Sequence, residues 1–137
     1  MGRLKLDQEA LGLISSFEKV AQVPIKDCFR EADTIYFVVS RGEIGKALGK
    51  GGINVKRFQE SIQKRIRLIE FDDDLCTFVR NIIYPLSVQE IKQEGGVVYI
   101  KDQSKKTKSL LIGREGKNLQ ITTRAIKRFF DVEVKII

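Results

Sequence analysis

Two glycine tetrads are the residues of this chain whose types and spacing can do chemistry: Gly49-Lys50-Gly51-Gly52 and Gly113-Arg114-Glu115-Gly116. Each stands just ahead of a stretch whose inner face is marked at helical spacing, by Val55, Phe58 and Ile62 in one case and by Leu119, Thr122 and Ile126 in the other. A helix that opens directly after glycine presents unbonded N–H groups and the positive end of its dipole. Glycine tolerates the tight turn and lets another backbone approach closely. Lys50 and Arg114 add positive charge between the glycines. Such a constellation suits phosphate binding, not covalent catalysis.

Other glycine motifs fail on spacing. A phosphate loop of the Walker type needs four residues before Gly-Lys and then Ser or Thr. Here Gly45 and Gly49 enclose three, and Gly51 follows Lys50. A dinucleotide fingerprint starting at Gly49 needs glycine at position 54, which is Asn54. A lone G-x-x-G carries little weight, since 11 glycines in 137 residues yield about one by chance. Gly42-Glu43-Ile44-Gly45 is such a case, directly after a strand pattern with no helix before it.

Chemistry of other kinds has little to work with. The chain contains no histidine, which removes imidazole bases and imidazole zinc ligands. Cys28 and Cys76 cannot hold a metal alone and are read as buried free thiols, with a disulfide between them left open. Asp72-Asp73-Asp74 reads as a helix cap and not as a Mg²⁺ site. Tyr36, Tyr84 and Tyr99 offer rings for base stacking, but Tyr36 and Tyr99 fall in strand patterns where packing explains them equally well. No metal, cofactor or small-molecule substrate is expected. Binding is the expected function, with a nucleotide-dependent enzyme as the alternative from another class.

Charge says what is bound. Residues 41–67 carry eight Lys/Arg against two acids, and residues 104–128 carry eight against one. Those 52 residues hold +13, whereas the other 85 hold −6. Two focused basic segments in an otherwise acidic chain point to a polyanion. They coincide with a repeat at an offset of 64 residues: Gly49, Gly52, Asn54 and Ile62 recur as Gly113, Gly116, Asn118 and Ile126. Lys50 becomes Arg114, Val55 becomes Leu119, and Phe58 becomes Thr122. The last change makes the following helix differ between the two copies.

The elements that position the tetrads follow from periodicity and punctuation. Asp7 can cap a helix with Ala10, Leu13, Ile14, Phe17, Val20 and Ala21 on one face, stopped by Pro24. Residues 25–30 and 34–40 read as strands, 43–48 as a short helix, 55–66 as a longer one and 67–71 as a strand. The second half repeats the order. Leu75, Phe78, Val79 and Ile82 mark a helix ending near Pro85, before strands at 87–93 and 97–102. A helix at 105–111 and one carrying Leu119, Thr122, Ile126 and Phe129 precede an alternating strand through Val132, Val134 and Ile136. No apolar run exceeds five residues, Ile35 to Val39, so no membrane span is expected. The start lacks a signal-peptide core, and a cytoplasmic location is expected.

Each half thus reads helix, strand, strand, helix, G-x-x-G, helix, strand. With LGKGGINV at 48–55 and IGREGKNL at 112–119, the chain resembles tandem type II KH domains, and most of all those of the short archaeal relatives of the transcription factor NusA. The resemblance implies an α+β fold of two domains, residues 1–71 and 72–137, each α-β-β-α-α-β with a three-stranded sheet covered by helices. It implies single-stranded RNA as ligand, the backbone clamped at the tetrads and bases lying in an apolar groove. RNA polymerase or a transcription complex is the implied protein partner, in termination or elongation control. The alternative is a KH protein of ribosome assembly or RNA decay. Carried onto this sequence, the RNA-binding set is Lys46, Gly49, Lys50, Gly51, Gly52, Lys56 and Arg57, with Lys108, Gly113, Arg114, Glu115, Gly116 and Lys117. Glu115 places a negative charge where phosphate should pass, which makes the second loop the weaker binder.

Overall fold

The computed structural model describes residues 7–137, which divide into two compact units, residues 7–72 and 73–137. In the first, α1 (Gln8–Ala21) starts where the Asp7 carboxylate accepts the Ala10 N–H at 2.7 Å. It ends at Gln22, which takes a left-handed conformation ahead of Pro24. Ala10, Phe17 and Ala21 are buried, with Leu13 and Ile14 packed beside them. Val20, expected on that face, is 40% exposed. It sits at the rim of the apolar stripe, in the last turn.

Strands β1 (Ile25–Glu31) and β2 (Thr34–Val39) pair antiparallel, and β3 (Arg65–Glu70) lies parallel to β2 on its other side. A parallel neighbour requires the chain to cross over. Here the crossover is α2 (Ile44–Leu48) and α3 (Ile53–Ile62), with the first tetrad between them. The expected helix to residue 66 is shorter than that. It stops at Ile62, Gln63 turns left-handed, and Ile66 is buried in β3. Side-chain and strand partners take over: the Gln59 amide oxygen accepts the Ile66 N–H at 2.9 Å, and Arg65 donates to the Asp33 carbonyl.

Aromatic packing anchors the crossover. Phe17 of α1 stacks on Phe37 of β2 at 4.6 Å, and Phe58 of α3 meets both edge-on at 5.1 and 6.0 Å. Replacing such a residue by alanine costs about 3–5 kcal/mol. Tyr36 is buried against Phe29 at 5.0 Å, and burial pushes its phenol pKa up. Its ring is a packing element, not a stacking platform.

The second unit has the same order: α4 (Leu75–Ile83), β4 (Glu90–Glu94), β5 (Val97–Lys101), α5 (Lys105–Ile112), α6 (Lys117–Lys127) and β6 (Glu133–Ile136). Its sheet is β4-β5-β6, antiparallel then parallel. Asp74 caps α4 and Ser104 caps α5 through bonds from the Thr77 and Thr107 N–H groups. Strand β4 begins at Glu90, later than expected, because the Asp102 carboxylate takes the Gln89 N–H at 3.0 Å. Phe129 lies beyond α6 and meets Phe78 edge-on at 5.5 Å, with Phe130 at 5.9 Å. These two rings fill out a core to which α6 contributes only the buried Thr122, Ala125 and Ile126.

Cys28 and Cys76 are free thiols, the first buried and the second half-buried. Among the described residues no helix is long and apolar enough to cross a membrane, and no cluster of acids or cysteines could hold a metal ion.

Candidate nucleic-acid interface

Both tetrads open on a glycine that no other residue could replace without strain. Gly49 has φ 77° and ψ 172°, Gly113 φ 76° and ψ 174°, a region open essentially to glycine alone. Space is closed as well. A Cβ would lie 2.7 Å from Asn54 Nδ2 at the first site and 2.6 Å from Asn118 Cγ at the second. Those asparagines are where they are because each reaches back across the turn. Asn54 Nδ2 donates to the Lys46 carbonyl at 3.3 Å, and Asn118 Nδ2 to the Leu110 carbonyl at 2.9 Å. A carbonyl in the last turn of the first helix, left without a helical partner, is thereby satisfied from the second helix. Glycine and asparagine form one staple.

Within the tetrad the chain makes a single tight turn, Gly52 N–H to Gly49 O at 3.0 Å and Gly116 N–H to Gly113 O at 3.2 Å. Gly52 (φ 74°) and Gly116 (φ 73°) then launch α3 and α6. No side chain caps either launch point, and neither first turn contains an acid. The first N–H of each helix is spent within the turn, Ile53 on the Lys50 carbonyl and Lys117 on the Arg114 carbonyl, which leaves the next N–H groups and the positive dipole end for an anion.

Around the first turn Lys46, Lys50, Lys56 and Arg57 are all exposed. Lys56 and Arg57 leave α3 about 100° apart around its axis. Around the second, Arg114, Glu115 and Lys117 are exposed and Lys108 is half-buried on α5. The turns differ most at their third position: Gly51 has φ 62° with open space around it, and Glu115 holds φ 57° with a side chain attached.

Apolar surface at the tetrads escaped the sequence reading. Leu48 and Ile53 bracket the first turn, and Leu110 and Ile112 lead into the second, each between 37% and 46% exposed. Large apolar residues beside a phosphate-binding turn can carry bases while the turn holds the backbone. Their signal was present, since Leu48 and Ile112 are repeat partners. Phe58 and Thr122 go the other way. Both are buried, at 4% and 8% exposure, so that substitution reshapes a core and does not line a groove. An open hollow of about 610 Å³ lies toward the far end of α3, lined by Asp33, Lys56, Gln59, Glu60, Gln63, Lys64 and Arg65. Of the expected set it includes only Lys56.

A three-stranded sheet, helices upon it and an uncapped basic turn between two of them define a KH-type module. A family model described as the KH domain matches residues 12–92, the larger part of the chain. The probable transcription termination protein NusA of Methanocaldococcus jannaschii is 36% identical over all of this chain and 77% of its own length. That of Thermoplasma acidophilum is 32% identical over 96% of this chain and 94% of its own. A crystal structure of APE1850 superposes with a TM-score of 0.78 at 30% identity, covering 96% of this chain and 99% of that one. The chain belongs to this archaeal NusA-like family of KH-domain proteins.

Proposed function

We propose that this protein binds single-stranded RNA at its two glycine turns and acts as a NusA-like factor in transcription termination or elongation control. The observation that carries the reading is the pair of helix starts without a side-chain cap, each behind a glycine turn with a cation at its second position and beside exposed apolar side chains. The repeated element order in residues 73–137 supports a tandem of two type II KH domains, meeting near residue 72. Relatives named as termination proteins favour transcription over ribosome assembly or RNA decay. The role is binding without catalysis, in the cytoplasm, with RNA polymerase or a transcription complex as protein partner.

The test is strand form. A KH groove reads unstacked bases, and a duplex offers phosphates and a shallow minor groove. Ten-nucleotide single-stranded RNA should bind more tightly than a duplex of equal length, although the duplex is more densely charged. Neutralising about four to six phosphates predicts a log–log salt slope of about −3 to −4. A steeper slope with duplex preferred would reduce the basic segments to a general polyanion surface and remove the KH reading of function.

A further inference from the structure

The two units carry their positive charge in different places. Between its outer glycines the first turn holds Lys50 and no acid, whereas in the second Arg114 is offset by Glu115. The outward stripes of the following helices reverse this. On α3 and just past its end the stripe is Ile53, Lys56, Glu60, Gln63 and Lys64, mixed in sign. On α6 and its cap the corresponding positions are Lys117, Gln120, Arg124, Lys127 and Arg128, four cations and no acid. Lys117, Gln120, Arg124 and Lys127 are exposed, opposite the buried Thr122, Ala125 and Ile126. Lys127 pairs with Glu133 at 3.2 Å, an exposed contact of small worth, and Arg124 and the half-buried Arg128 also have partners within the chain.

A solvated helix face mixes signs, because like charges three and four residues apart repel. Arg124, Lys127 and Arg128 stand at those spacings. Helix-dipole compensation can account for cations in the last turn, but not for Lys117, which occupies the first helical residue, where the dipole disfavours a cation. A polyanion along the stripe accounts for the run of one sign. From Lys117 to Arg128 the stripe runs about 16 Å, and it begins at the tetrad.

We propose that the second unit tracks an RNA backbone along the outer face of α6, with Lys117, Arg124, Lys127 and Arg128 as phosphate contacts that act independently of base identity. The proposal rests on the RNA-binding reading above and adds to it a division of labour: the first unit holds backbone at its glycine turn, and the second holds it along α6.

The experiment uses the full chain and a random-sequence pool of sixteen-nucleotide single-stranded RNA. The Arg124→Gln/Lys127→Gln variant removes two stripe cations. Lys19→Gln/Lys135→Gln removes the same charge elsewhere, and a Lys50→Asp/Gly51→Asp variant disables the first turn. Thermal unfolding checks that each folds. The stripe variant should flatten the salt slope by about 1.4, at about 0.7 per lost phosphate contact, and weaken binding about tenfold at 0.15 M salt. The control should keep the wild-type slope. A wild-type slope in the stripe variant, with binding still lost in the first-turn variant, overturns this inference alone. Binding unaffected by all three variants overturns the RNA-binding reading together with it.

Discussion

The Asn54 side chain occupies the space that a Cβ on Gly49 would need, 2.7 Å from its Nδ2, while that same amide donates to the carbonyl of Lys46. The two residues are coupled sterically, and the bond to Lys46 is what holds the amide in that space. Gly49→Ala should therefore destabilise the first unit by about 1–3 kcal/mol from its backbone conformation alone. A further part should come from displacing Asn54. In a double-mutant cycle with Asn54→Ala, read by urea denaturation, the combined loss should fall short of the sum of the single losses. Strict additivity would show that the staple has no energetic content.

Charge at the turns should rank them. Lys50→Asp/Gly51→Asp places two carboxylates against the phosphate path at exposed positions that support no core. RNA affinity should drop more than tenfold, about 1.4 kcal/mol or more. Arg114→Asp should cost less, because Glu115 already offsets the charge it removes. Conversely Glu115→Gln should strengthen binding about threefold, the repulsion of two charges about 6 Å apart in water being about 0.7 kcal/mol. Titrations with fluorescent RNA decide the order. A larger loss at Arg114 than at the first turn reverses the ranking.

Two turns on one chain should show in length dependence. Where one RNA reaches both turns, the second engagement is intramolecular and gains from high local concentration. With about four nucleotides per clamp, affinity should climb as oligomers lengthen from roughly four to roughly ten nucleotides. Isothermal titration across that series is the measurement. A flat response means that one turn is idle.

Acid should loosen α4 at its cap. Asp74 accepts from the Thr77 hydroxyl at 2.7 Å and from its N–H at 2.9 Å. These bonds, the side-chain one first, hold its carboxyl below the usual value. A depressed folded pKa contributes stability above the unfolded carboxylate value of about 3.9, and that contribution disappears as pH falls through the folded value. The stability difference between wild type and Asp74→Asn should be constant from pH 7 to about 5 and shrink below about 4. Denaturation midpoints at a series of pH values would show it. A difference that persists unchanged to about pH 2.5 contradicts the cap's role.

What the sequence determined by itself was local or repeated. Helix α1 was legible because Asp7, the apolar spacing and Pro24 act within one stretch of chain. The tetrads were legible because two copies 64 residues apart carry the same glycines inside the same charge. Tertiary structure decided whatever depended on a distant partner. Ile66 belongs to β3 because parallel pairing with β2 outweighs its helical spacing. Phe58 is a core ring because Phe17 and Phe37 converge on it, and its counterpart Thr122 is buried in a unit where Phe129 and Phe130 pack on Phe78. The recurrence of Asn54 and Asn118 was visible from the start, yet their work was not. A side-chain amide reaching eight residues back to a carbonyl exists only once the turn has brought two helix ends together. Leu48 and Ile112 look like core residues in one dimension, and only the fold leaves them facing outward beside the glycines.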